Sequence, residues 1–244
     1  MSALSGKTVV ITGGAKRLGR AITLAFVGAG ANVAITYLTS SRVASQTVRT
    51  FKSHKVNALS VECDLRDPVS VKRAASKIKK QFRTIDILVN NASVYQTVDF
   101  DKITPSQWED VFLTNVRGPY LMSQALLPAL RRSHGRIINI GSLGGLRPWT
   151  AHAHYCASKA ALHMLTQTMA KAWAPDIAVN CVAPGMVDLP NEKKNKLHSK
   201  LAAKTPMQRN ASPNDVISAV LYFATSPPFI TGQLLTIDGG LSLF

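Results

Sequence analysis

Tyr155 and Lys159 stand four residues apart, and Ser142 lies thirteen residues upstream of the tyrosine. On a helix, residues four apart share a face, with Cβ atoms about 5–6 Å apart. A phenol, with a pKa of about 10, exchanges protons poorly at neutral pH. A neighbouring ammonium favours the phenolate and lowers that pKa, and acid–base catalysis works best with a pKa near the working pH. A serine hydroxyl can hold the oxygen that gains or loses the proton. The three side chains together suit the interconversion of a carbonyl and an alcohol. Tyr-x-x-x-Lys alone also arises on solvated helices, so the reading depends on what positions these groups.

The positioning elements alternate strand and helix. Arg136–Gly141 reads as a strand that ends at Ser142, and Ala153–Trp173 as the helix carrying Tyr155 and Lys159. At the other end of the chain, Lys7–Ile11 reads as a buried strand. The turn Thr12-Gly13-Gly14-Ala15-Lys16-Arg17-Leu18-Gly19 follows. A helix over Arg20–Val27 comes next, with Ala21, Leu24, Ala25 and Gly28 expected on its inner side. Strand, glycine turn and helix is the context of a dinucleotide site: glycines admit a pyrophosphate, and helix N–H groups hold its charge. Further strands are predicted over Asn32–Tyr37, Val56–Cys63, Ile85–Asn90, Ile177–Val182 and Leu234–Ile237. Helices are predicted over Pro68–Phe82 and Ser106–Leu130, the second interrupted near Asn115–Pro119. The expected fold is α/β: a single doubly wound Rossmann domain over residues 1–244, with a seven-stranded parallel sheet. Ligands then bind at the carboxyl ends of the strands.

Thr12-Gly13-x-x-x-Arg17-x-Gly19, Asn90-Asn91-Ala92, Asn115, Ser142, Tyr155-x-x-x-Lys159 and Pro184-Gly185 occur in the order of the short-chain dehydrogenase/reductase family, which the chain resembles from about Gly6 to Gly240. The ending Ile230-Thr231-Gly232-Gln233…Asp238-Gly239-Gly240 is similar to that of bacterial 3-oxoacyl-carrier-protein reductases. Arg17 stands where the family usually has glycine, and resembles a subset that includes pteridine reductases. The resemblance implies a mechanism. Ser142 and Tyr155 bond the carbonyl oxygen and Tyr155 donates the proton. Lys159 holds the nicotinamide ribose and lowers the Tyr155 pKa, and Asn115 holds a water that relays protons to Lys159. It also implies that Asp64 bonds the adenine amino group with Leu65 beside the ring. Asn91 and Ala92 line the cofactor, and Pro184, Gly185 and Val187 flank the nicotinamide. Relatives pair through the two long helices and the last strand, which implies a homodimer or homotetramer.

The cofactor reading is NADP(H). An NAD-selective site places an acid after the second strand to bond the ribose diol. Here Tyr37 is followed by Leu38-Thr39-Ser40-Ser41-Arg42, and the first acidic residue of the chain is Glu62. Lys16, Arg17, Ser40, Ser41 and Arg42 offer a 2′-phosphate its partners instead, with Gly13, Leu18 and Gly19 in the turn.

A net charge of +16 and a pI near 10.1 admit an anionic ligand, an acidic partner or nucleic acid. Residues 1–61 contribute eight Lys or Arg and no acid. No nucleic-acid motif or aromatic stacking array accompanies the charge, so a nucleotide-sensing or nucleic-acid-binding protein is the weaker class. A basic rim would suit an acidic acyl carrier protein. The odd set Cys63, Cys156 and Cys181 has no metal spacing and fits buried thiols in a reducing cytoplasm. No leader or membrane-length apolar run is read, which gives a cytoplasmic expectation.

The substrate signal divides. Ser93, Arg147-Pro148-Trp149 and Trp173-Ala174-Pro175-Asp176 resemble bacterial relatives of pteridine reductases. Those enzymes generally carry Asp at the place of Ser142, so a ketone such as a 3-oxoacyl thioester ranks first and a dihydropterin second. Ser93, Val94, Tyr95, Gln96, Leu143, Trp149, His154 and Met186 are the expected substrate wall. His152 and His154 are read as hydrogen-bonded rather than catalytic. The Lys-rich stretch 190–205, with Lys193, Lys194, Lys196, Lys200 and Lys204, is a candidate lid.

Overall fold

The computed structural model describes residues 2–51, 55–190 and 196–243. Thr8–Ile11 (β1), Asn32–Tyr37 (β2), Ala58–Glu62 (β3), Ile87–Asn90 (β4), Arg136–Ile140 (β5), Ala178–Pro184 (β6) and Leu234–Ile237 (β7) form one sheet in the order β3-β2-β1-β4-β5-β6-β7. Every neighbouring pair is parallel. The central strands are apolar throughout because helices cover both faces of the sheet. Side chains alternate between the two faces. Val9 and Ile11 enter one core with Ile22, Phe26, Val220 and Phe223, while Val10 enters the other with Ile78, Met122, Leu126 and Met169.

The first face is covered by α1 (Arg17–Gly28), α2 (Ser41–Arg49) and α8 (Pro213–Thr225). The second is covered by α3 (Pro68–Gln81), α5 (Gly118–Arg132) and α6 (Ala153–Trp173). The inner side of α1 is corrected: Ile22, Thr23, Phe26 and Val27 are buried, whereas Leu24 is 37% exposed and Gly28 is also exposed. Between α4 (Pro105–Phe112) and α5, residues Leu113–Arg117 form a π turn. The expected interruption of one long helix is thus a local widening that buries Asn115. Asp67 starts α3 by accepting from the Val69 and Ser70 amides at 2.9 and 3.0 Å.

Two helices, α2 and α8, were not read from the sequence, and β6 runs two residues further than predicted, to Pro184. In the candidate lid, α7 (Lys196–Lys204) buries no side chain. It is tied down by the Asn210 side-chain amide donating to the His198 carbonyl at 3.0 Å. Lys193 and Lys194 lie outside the described residues. No described helix is long and apolar enough to cross a membrane.

Candidate active site

Strand order reverses between β1 and β4, and a cleft of about 630 Å³ opens at the carboxyl ends of the sheet there. It runs from Tyr37 and Leu38 past Gly13–Gly19 to Ser142, Tyr155 and Lys159, with Pro184, Gly185 and Val187 on its far wall. Backbone geometry builds its floor. Gly13 has φ +65°, and a Cβ on Gly19 would lie 2.2 Å from the Gly13 carbonyl oxygen, so the turn closes only with glycine there. Thr12 fastens this turn to the end of β4. Its hydroxyl accepts from the Asn91 and Ala92 amides at 3.0 and 3.1 Å, and its carbonyl accepts from the Asn91 side chain at 2.9 Å. Arg17 sits at φ +52°, the left-handed region, which explains why glycine is the easier residue at this place.

At the other end, the Ser142 hydroxyl accepts from the Gly144 amide at 3.0 Å, and Ser142 and Tyr155 both line the cleft. The Lys159 ammonium is buried and donates to the Ile140 carbonyl at 2.8 Å, lying 5.6 Å from the centroid of the Tyr155 ring. These distances correct an expectation about protons. Burial pushes the Tyr155 phenol up to about 12, and the group that opposes this is Ser142. Lys159, whose Nζ bonds Ile140, does not overcome the effect of that burial. Burial lowers Lys159 itself to about 8. The site as it stands holds a protonated phenol and a lysine poised to release a proton near neutral pH.

Asn115 is 1% exposed. Its amide nitrogen donates to the Val94 carbonyl (2.9 Å) and Ser158 Oγ (3.0 Å). Its oxygen accepts from the Val94 amide (2.8 Å) and Ser93 Oγ (3.0 Å). That fills the capacity of an asparagine side chain. The side chain therefore ties the loop after β4 to α6 and has no position left for a water.

Residues 7–200 match the model of the short chain dehydrogenase family. The chain belongs to that family. This short-chain dehydrogenase is 31% identical to the 3-oxoacyl-[acyl-carrier-protein] reductase FabG of Staphylococcus epidermidis over 240 residues, 96% of this chain and 98% of the relative. It is also 31% identical to the enzyme of the same name from Aquifex aeolicus, covering 98% of each chain. Among solved structures it matches a short chain dehydrogenase from Burkholderia cenocepacia in complex with NADP. There the TM-score is 0.92 at 33% identity, over 98% of each chain. A blue fluorescent protein from a metagenomic library, in complex with NADPH, gives the same TM-score at 30% identity over 98% of each chain.

In this short-chain dehydrogenase the cleft is lined by Gly13, Lys16, Arg17, Leu18, Gly19, Tyr37, Asp64, Leu65, Asn91, Ala92, Ser93, Val94 and Tyr95. Other residues of the expected site lie off this lining. Ser40, Ser41 and Arg42 lie at the start of α2, outside the lining, where Leu38 takes the nearer place. Leu143 (2% exposed) and His154 (fully buried) are packed into the protein and form no wall. Trp149 lies behind Tyr155, the rings nearly parallel at 6.4 Å, and Met186 is off the lining. Gln96 also faces inward, its carbonyl bonded to His152 Nδ1 at 2.8 Å. That bond fixes the proton on Nδ1, so His152 Nε2 accepts from the Tyr95 hydroxyl at 2.9 Å.

Asp64 also has a protein partner. Arg66 grips it through two bonds of 3.0 and 2.8 Å and reaches Asp110 at 2.7 Å. Both Arg66 and Asp110 line the cleft. The sequence reading missed this clamp because Asp110 lies 44 residues from Arg66 and only the packing of α4 against the turn after β3 brings them together. Cys63, Cys156 and Cys181 are free thiols, and the described residues contain no metal-binding group of His, Cys, Asp or Glu.

Proposed function

We propose that this short-chain dehydrogenase reduces a carbonyl with NADPH, and that a 3-oxoacyl thioester or a related ketone is its substrate. The observation that carries the proposal is the Ser142–Tyr155 pair at the head of the cleft, with the buried Lys159 behind it. NADPH would supply the hydride when bound. The chain's fit to it rests on the glycine turn, on Lys16 and Arg17 at the rim, and on the absence of any acid at the end of β2. Ser40, Ser41 and Arg42 stand beyond that rim as further partners for the 2′-phosphate.

The protein residues divide the remaining work. Ser142 and Tyr155 hold the carbonyl oxygen between two hydroxyl donors and stabilise the negative charge that develops there. Tyr155, protonated up to about 12, gives that oxygen its proton. Lys159, near its own titration point, replaces it. Asn115 keeps Ser93, Val94 and α6 in place.

A second reading, reduction of a dihydropterin, is favoured by one observation. The Tyr95 ring is 52% exposed on the cleft and is held by His152, a flat platform for a planar heterocycle. NADPH oxidation by purified protein, followed with a 3-oxoacyl thioester and a dihydropterin side by side, separates the two. Turnover of the thioester alone supports the first reading, and turnover of the pterin alone replaces it with the second. Failure on both, together with failure to bind NADPH, refutes the proposal.

A further inference from the structure

His163 lies one helical turn beyond Lys159 on α6, 8% exposed, beneath the loop that carries Ser142. Its ring occupies space that only glycine on the facing strand and loop can leave. A Cβ on Gly141 would lie 2.4 Å from His163 Nε2, and one on Gly145 would lie 2.5 Å from its Cε1. The Ser142 backbone amide donates to Nε2 at 3.4 Å, a long bond on a buried group. The partner is an N–H, so Nε2 must be the bare nitrogen and Nδ1 must carry the proton. Nδ1 is buried without a partner, a cost that most folds avoid. A purely space-filling position would be served by an apolar side chain without that cost.

We infer that His163 is a positioning residue, whose bare Nε2 holds the Ser142 amide and so aims the Ser142 hydroxyl at the substrate oxygen. This role rests on the carbonyl-reductase reading of the site. The neighbouring charges favour the same state. Burial, and after it the Lys159 charge, lower His163 to about 4, so the ring stays neutral and Nε2 stays an acceptor. Cys181, on the other side of Gly141, is held as the thiol by burial, which pushes it to about 12.

The test compares two side chains of similar length in the full-length enzyme. Glutamine places a carbonyl oxygen near the position of Nε2, whereas methionine fills the space and accepts nothing of comparable strength. His163→Met is expected to lower kcat about tenfold, with KM for the carbonyl and the dissociation constant of NADPH within about twofold, and His163→Gln to recover kcat to within about threefold. Equal kcat values for the two variants would overturn the inference. A second measurement needs neither variant nor substrate. The 15N NMR spectrum of the histidine-labelled wild type is expected to show His163 protonated at Nδ1 and bare at Nε2, and a proton on Nε2 would overturn the assignment even if no tested carbonyl is turned over. NADPH binding by the same sample separates this outcome from failure of the reductase reading.

Discussion

Arg17 sets a backbone cost against a charge, and Arg17→Gly separates the two. At φ +52° a non-glycine residue carries about 1–2 kcal/mol of left-handed strain. Glycine relieves that strain but brings about 0.5–1 kcal/mol of extra chain entropy in the unfolded state. The net effect on stability is therefore small, between zero and a gain of about 1.5 kcal/mol, or a rise in Tm of at most about 6 °C for a chain of this size. The loss falls on the ligand. A hydrogen bond from a guanidinium to a phosphate contributes about 1.5–3 kcal/mol, which corresponds to roughly 10- to 150-fold in affinity for NADPH. NADH lacks the 2′-phosphate and should lose less than about threefold. Arg17→Ala completes the design: it removes the same charge but keeps most of the strain, so it should bind NADPH like the glycine variant and melt below it. Fluorescence titration with both nucleotides and a thermal melt of each variant provide the readings. An equal loss for NADPH and NADH would refute the phosphate assignment. A glycine variant melting several degrees below wild type would refute the strain argument.

Four other outcomes follow from the same geometry. Tyr155→Phe should remove turnover, by about 10³-fold or more, while NADPH binds within about threefold of wild type; rates near wild type would exclude Tyr155 as the proton donor. For the free enzyme, kcat/KM for reduction should fall above pH about 8 as Lys159 loses its proton, although Tyr155 stays protonated to about 12; a profile flat to pH 10 would contradict this. Lys159 also affects stability. Between about 8 and 10.5 the unfolded chain holds the proton that the folded lysine has lost, so its contribution to stability rises with pH across that window. Asn115→Ala should destabilise the fold by about 2–4 kcal/mol in urea melts, because it removes the partner of the Val94 amide, the main donor to the Val94 carbonyl and the tie from this loop to Ser158 on α6; a variant of unchanged stability and reduced kcat would point to a relay role instead.

What could be read from the sequence was what local patterns encode. The helix Ala153–Trp173 and the strand Leu234–Ile237 are found with the predicted ends, because a long run of helix formers and a short apolar run between glycine turns each have one good solution. The glycine turn was legible because its backbone excludes a Cβ. The inner face of α1 was misread: alanines and Leu24 fit the period as well as Ile22, Thr23, Phe26 and Val27 do, and only the sheet beneath decides between them. The Arg66–Asp64–Asp110 clamp, the Thr12 bonds to Asn91 and Ala92, and His163 beneath Ser142 all depend on packing between elements far apart in the chain. No local signal marks them. His154 was misplaced for a related reason. Its ring is fully buried beside the Gln96 side chain, a contact between residues 58 apart in the chain.

The correction to the tyrosine has a consequence for direction. The four-residue spacing of Tyr155 and Lys159 fixes how near their backbones are, but not where the ammonium points. Here it bonds the end of β5 through Ile140. The phenol is therefore left to burial, which favours the neutral form. Ser142 offsets part of that effect without reversing it. A neutral phenol is the form a carbonyl reduction needs, since the step consumes a proton at the substrate oxygen. The reverse step would need the phenolate to remove a proton from an alcohol, at a position where burial works against that charge. The same burial that raises Tyr155 lowers Lys159, so proton donor and proton supplier are both shifted toward giving protons. The charge states of Tyr155 and Lys159 thus support the proposed reductive reading.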